Sequence, residues 1–158
     1  MGMYLVDITA EGWAQKQCAP LLNEALAARG LSSYPGPALT AGRFEEKLIP
    51  RMDDFAEVCA RHGATEFLDA TLFVPVDFGG IIELPVESSY DDVTTVFSAQ
   101  RLRALIAPIA AEVRLPTGLP SGSMALTTAI DDPVTFYVAL FQQAAEHSLR
   151  HGCPLAYS

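Results

Sequence analysis

His147 and His151 stand four residues apart near the end of a helical pattern, and Cys153 follows two residues later. On a helix that spacing puts both imidazoles on one face, within reach of a single metal ion. Glu146 precedes the first histidine, so the H-E-x-x-H order of a zinc protease is missing. The competing role is electrostatic, because histidines in a last helical turn interact with the helix's negative end. Cys59 and His62, three apart, have a spacing that a nucleophile and its base can use. Cys59 also completes an apolar stripe, where a buried thiol is inert packing. Four acidic doublets, Glu45-Glu46, Asp53-Asp54, Asp91-Asp92 and Asp131-Asp132, are further candidates, since paired carboxylates at the right separation do acid–base work. Neither G-x-S-x-G nor a glycine-rich phosphate loop occurs, and Gly79-Gly80 joins two expected strands instead of opening a helix. No catalytic set is complete, and no cofactor is expected.

Charge is a stronger signal than any of these spacings. No Lys or Arg occurs between Arg61 and Arg101, and residues 64–98 supply −7 of the formal net −9. Asp69, Asp77, Glu83, Glu87, Asp91 and Asp92 make this an acidic 66–92 face. With a pI near 4.6, the chain is not expected to bind nucleic acid or an anionic membrane, which require clustered Lys and Arg. A basic protein surface is the complementary partner, and opposite charge speeds such an encounter.

The 158 residues are expected to form one domain, 1–158. Half are apolar and only 18% are charged, below the roughly 25% of ordinary soluble domains. That balance implies extensive burial and allows a homo-oligomer interface. No stretch reaches the ~20 apolar residues of a membrane span. The start, MGMYLVD, lacks a basic signal region, and Val6 replaces the Ser or Thr of a myristoylation motif. Cys18, Cys59 and Cys153 are an odd number without metal-like spacing, which suits a reducing cytoplasm.

The elements that must position the acids centre on residues 67–86. Leu68, Ala70, Leu72, Val74, Val76 and Phe78 occupy even positions, as do Ile82, Leu84 and Val86, whereas Asp69, Asp77, Glu83 and Glu87 are odd. Alternating side chains predict a hairpin with one core face and one carboxylate face. Two registers satisfy this parity. One closes on a three-residue Phe78-Gly79-Gly80 loop. The other is shifted to set Pro75 against Pro85, and it brings Asp77 opposite Glu83.

Four helical segments are expected around this hairpin. Thr9 caps the first, which runs to Arg29 and kinks or divides at Pro20. Phe44, Leu48, Met52, Phe55 and Cys59 trace a stripe for a second over Arg43–His62, interrupted by Pro50. Ser98 caps a third, with Leu102, Leu105, Ile106, Ile109 and Val113 as its core stripe and Pro108 inside it. Asp132 and Pro133 open the last, which ends at Gly152 and is apolar nearly all round over VTFYVALF. A helix of that composition belongs at the centre of the molecule. Met3–Ile8, Val93–Phe97, Ser123–Ala129 and Pro154–Tyr157 are expected strands. Ser32–Gly42, Ser88–Asp92 and Pro116–Gly122 are expected loops.

This order predicts an α+β fold with a mostly antiparallel sheet and helices on one side. The function expected from it is a small acidic binding protein, of the immunity or antitoxin-like inhibitor kind, facing a basic partner. The alternative is a metal-assisted hydrolase or ligand-binding protein that uses His147 and His151.

Overall fold

The computed structural model describes residues 3–37, 43–88, 91–120, 124 and 126–158. The elements follow as β1 (Tyr4–Asp7), α1 (Ala10–Gln15), α2 (Cys18–Ala28), β2 (Glu45–Lys47), α3 (Asp53–Arg61), β3 (Leu72–Val74), β4 (Ile81–Leu84), β5 (Thr94–Ser98), α4 (Ala99–Val113), α5 (Leu126–Ala129), α6 (Pro133–His151) and β6 (Leu155–Tyr157). A 3-10 turn spans Glu66–Asp69. The class is α+β, with the strands in the order β2-β1-β6-β3-β5-β4. Every pairing is antiparallel except β3 with β5. No helix among the described residues is long and apolar enough to cross a membrane.

Helices cover both faces of the sheet, not one. Phe73 and Phe97 pack with α3, α4 and α6, whereas Leu72, Val74 and Val96 pack with α2 and Trp13 of α1. Adjacent residues of one strand therefore enter different cores, and all five residues of β5 are buried. A short strand with both faces covered can be apolar throughout and needs no polar side.

The expected 67–86 hairpin does not form. β5 lies between β3 and β4, and the antiparallel hairpin is β4–β5, with Ile82 opposite Val96 and Glu83 opposite Thr95. Residues 75–80 form a connection long enough to pass across one strand, about 10 Å at two strand spacings. Pro75 and Pro85 lie directly beyond the ends of β3 and β4, where neither must donate to a ladder. The even positions still share a face, because Leu72 and Ile82 both stand opposite Val96. The odd face is not acidic throughout, since only Glu83 on the last strand is exposed there. It holds Phe73 and Phe97 and is covered by the larger core.

Proline also divides two expected helices. Lys16 and Gln17 separate α1 from α2, and Pro20 falls in the first turn of α2, where its missing N–H breaks no bond. Only the second half of the Arg43–His62 pattern is helical. Ile49 precedes Pro50 and is biased towards extended backbone, and β2 pairs with β1 instead. Buried Glu46 of β2 accepts the Leu126 N–H at 3.3 Å at the start of α5. α5 occupies Leu126–Ala129 of the expected Ser123–Ala129 strand, while Ser123 and Ala125 lie outside the described residues, as do parts of the three expected loops.

The last helix is central, as its composition implies. Asp132 accepts the Thr135 N–H at 2.9 Å as N-cap, and Gly152 ends α6 at φ 64°. Phe136 to Phe141 are all buried, with α3, α4 and α5 packed around them. Ser98 caps α4, which runs through Pro108 without a break.

Candidate functional site

The β4–β5 hairpin carries four of the six expected partner-binding acids. Glu83 sits on β4, the last strand of the sheet, and Glu87, Asp91 and Asp92 belong to the connection to β5. All four are exposed, and none makes an ion pair among the described residues. The connection is tied internally. Ser88 N–H donates to Asp91 O at 2.9 Å, and the Thr94 hydroxyl donates to Val86 O at 3.1 Å. These bonds link Ser88 to Asp91 and Val86 to Thr94 across the connection.

The other two acids are placed differently. Asp69 ends the 3-10 turn and is exposed, beside the start of β3. Asp77 lies in the β3–β4 connection and pairs with Arg101 at 2.9 Å. Both partners are largely exposed, so the pair contributes at most about 1 kcal/mol, but it neutralises one acid of the face. Nearby, the Arg29 guanidinium donates to Gly79 O at 2.8 Å and Ile81 O at 3.2 Å. That contact covers backbone acceptors at the free edge of β4, a protection against strand addition.

A cleft of about 510 Å³ opens beside the acidic loop. Glu87, Ser88, Pro85 and Val86 form one wall, and Lys16 and Gln17 at the start of α2 form another. Leu72, Thr94, Ala156 and Tyr157 contribute strand ends. Its volume suits a small ligand or one long side chain. Cys18 also lines it, but burial pushes that thiol up, an effect that Lys16 opposes only in part. No sequence spacing announces this cleft, because its walls come from five separate segments.

The histidines gather at the opposite end of β6. His147 Nε2 lies 3.1 Å from Asp7 Oδ2 of β1, with both side chains 12% exposed. Cys153 joins them, and one ligand atom from each of the three lies within 4.8 Å of the others. His151 packs on His147 with ring centroids 4.6 Å apart. Burial first, and then the Asp7 charge, push the Cys153 thiol up to about 12, so it is protonated and not a nucleophile at neutral pH. Asp7 is the residue that sequence reasoning missed, since a carboxylate on the first strand has no spacing relation to α6.

Cys59 and His62 do not meet as nucleophile and base. Cys59 is core, with its thiol pushed up to about 11 by burial. His62 instead lies 3.1 Å from Glu112, whose carboxyl is held low by that hydrogen bond and the nearby Arg61. Asp132 is likewise accounted for as a helix cap.

No family model, curated protein or solved structure matches this chain.

Proposed function

We propose that this protein is a non-catalytic binder of a basic protein surface and that the β4–β5 hairpin is its recognition element. One observation carries the reading: Glu83, Glu87, Asp91 and Asp92 are exposed on a single hairpin at the sheet's edge and make no ion pair among the described residues. Holding the charges in place before the encounter lowers the ordering cost of binding. Arg29 blocks part of the β4 backbone, which favours recognition through side chains over strand addition. An inhibitor of the immunity or antitoxin-like kind has these requirements, since its basic target must be captured quickly and tightly. Three unpaired, buried cysteines support action in a reducing compartment such as the cytoplasm.

Hydrolysis at His147 and His151 has less support. His147 is engaged by Asp7 and nearly enclosed, a setting better suited to holding an ion than to presenting one to a substrate.

Capture from a source lysate with wild-type protein and with Glu83→Lys/Glu87→Lys tests the proposal. The expected ligand is a basic protein retained by wild type in low salt, released by high salt and not retained by the double variant. Equal retention by both proteins would remove the hairpin as the recognition element.

A further inference from the structure

The cluster at the start of β6 is independent of the acidic hairpin and carries its own chemistry. We propose that Asp7, His147 and Cys153 bind a transition-metal ion of the zinc class, which ties β1 to the end of α6 and the entry of β6. The donor atoms already converge within 4.8 Å. Tetrahedral zinc, with bonds of about 2.0–2.3 Å, requires donors roughly 3.3–3.8 Å apart. The Asp7–His147 separation of 3.1 Å is close to that spacing before any adjustment.

Backbone contacts set Asp7 and Cys153, and Asp7 in turn engages His147. Asp7 stands opposite Leu155 in the β1–β6 ladder and donates its N–H to Phe44 O at 3.0 Å. Ser148 fixes Cys153 twice: its Oγ donates to Cys153 O at 2.7 Å, and its carbonyl accepts the Cys153 N–H at 3.2 Å. The Tyr34 hydroxyl donates to Gly152 O at 2.6 Å and secures the turn between helix and strand. The Phe44 ring packs on His147 at 5.4 Å and shields the imidazole.

The donor set defines the ion. Thiolate and imidazole favour zinc, cobalt or ferrous iron over magnesium and calcium, which take oxygen. Binding displaces the Cys153 thiol proton to solvent as the sulfur–metal bond forms. One thiolate and one carboxylate then neutralise the divalent charge, and His147 coordinates as the neutral ring. His151, one turn further along α6, lies with its ring tilted 50° to that of His147 and is not among the three converging donors, so the fourth position is left for water.

Cobalt is the direct probe. Full-length protein stripped with a chelator and titrated with Co²⁺ should bind one ion per chain and develop a thiolate-to-cobalt absorption band. Cys153→Ser should abolish that band, while Cys18→Ser and Cys59→Ser should leave it unchanged. His147→Ala should lower affinity at least tenfold, in keeping with the loss of a ligand. A wild-type protein that gives no thiolate band, or a band that survives Cys153→Ser, overturns the proposal. A second measurement does not depend on any variant folding. Zinc at a thousandfold above its Kd should raise the Tm of the stripped wild type by roughly 8–16 °C. An unchanged Tm across that titration contradicts a folding-linked site.

Discussion

Replacing Phe141 with alanine removes the ring on which most of the larger core converges. Phe141 is fully buried on α6. Its ring stacks on Phe55 of α3 at 5.6 Å, meets Phe67 edge-on at 5.1 Å and reaches Phe73 of β3 at 6.2 Å. A buried Phe→Ala change costs about 3–5 kcal/mol in transfer and cavity energy. Aromatic pairs add about 0.5–1.5 kcal/mol each but are not additive when they share a ring. Because three separate elements line the cavity, little collapse can relieve it, and the loss should fall in the upper part of that range, about 4–5 kcal/mol. With a urea m-value of roughly 2 kcal/mol/M, the unfolding midpoint should drop by about 2 M with m unchanged. A domain of total stability 5–15 kcal/mol can lose its fold entirely under that load. Phe141→Leu, which keeps an apolar side chain in place, should then give a folded protein of intermediate stability. A loss below about 1 kcal/mol for Phe141→Ala would refute the central placement of α6.

Three further outcomes follow from single contacts. Gly36→Ala should destabilise by more than 1 kcal/mol in urea melts, because φ is +100° and the new Cβ would lie 2.7 Å from Trp13 Cδ1. Asp132→Ala should cost about 0.5–2 kcal/mol through loss of the α6 cap. The Asp132 carboxyl is held below its ordinary value, first by the Thr135 N–H and then by the Thr135 hydroxyl. Its pH-dependent stabilisation is therefore present above the unfolded-state value of about 3.9 and lost as pH falls through the lower folded value. Asp132→Asn keeps a cap but cannot titrate, so its stability difference from wild type should shrink as pH falls through that range; a difference constant with pH in urea melts would contradict the sign.

Local signals in the sequence were reliable wherever the partner is near in the chain. Asp132-Pro133 and Gly152 mark α6, Ser98 marks the start of α4, and both elements begin or end there because a side chain or a left-handed residue satisfies the nearest turn. Apolar stripes failed where a distant strand competed. Phe44 and Leu48 fit a helix by spacing, but β1, some forty residues away in the chain, pairs with Glu45–Lys47. Parity correctly grouped Leu72, Val74, Ile82 and Leu84 on one face. It could not reveal that β5 would insert between β3 and β4, since Thr94–Ser98 carries no mark of its partners. The same limit applies to the sites. The acidic run is contiguous in sequence and visible as charge, whereas Asp7 and His147 are 140 residues apart and meet only through the fold.

The hairpin's role is tested most directly by the association rate with the captured partner, measured by stopped flow as a function of salt. For wild type, the rate should fall steeply as the Debye length shrinks from ~10 Å at 0.1 M to ~3 Å at 1 M. Glu83→Lys/Glu87→Lys should associate slowly at low salt and show a nearly flat salt dependence, with the fold intact because both side chains are exposed. An unchanged low-salt rate in the double variant would contradict electrostatic recognition through the β4–β5 hairpin.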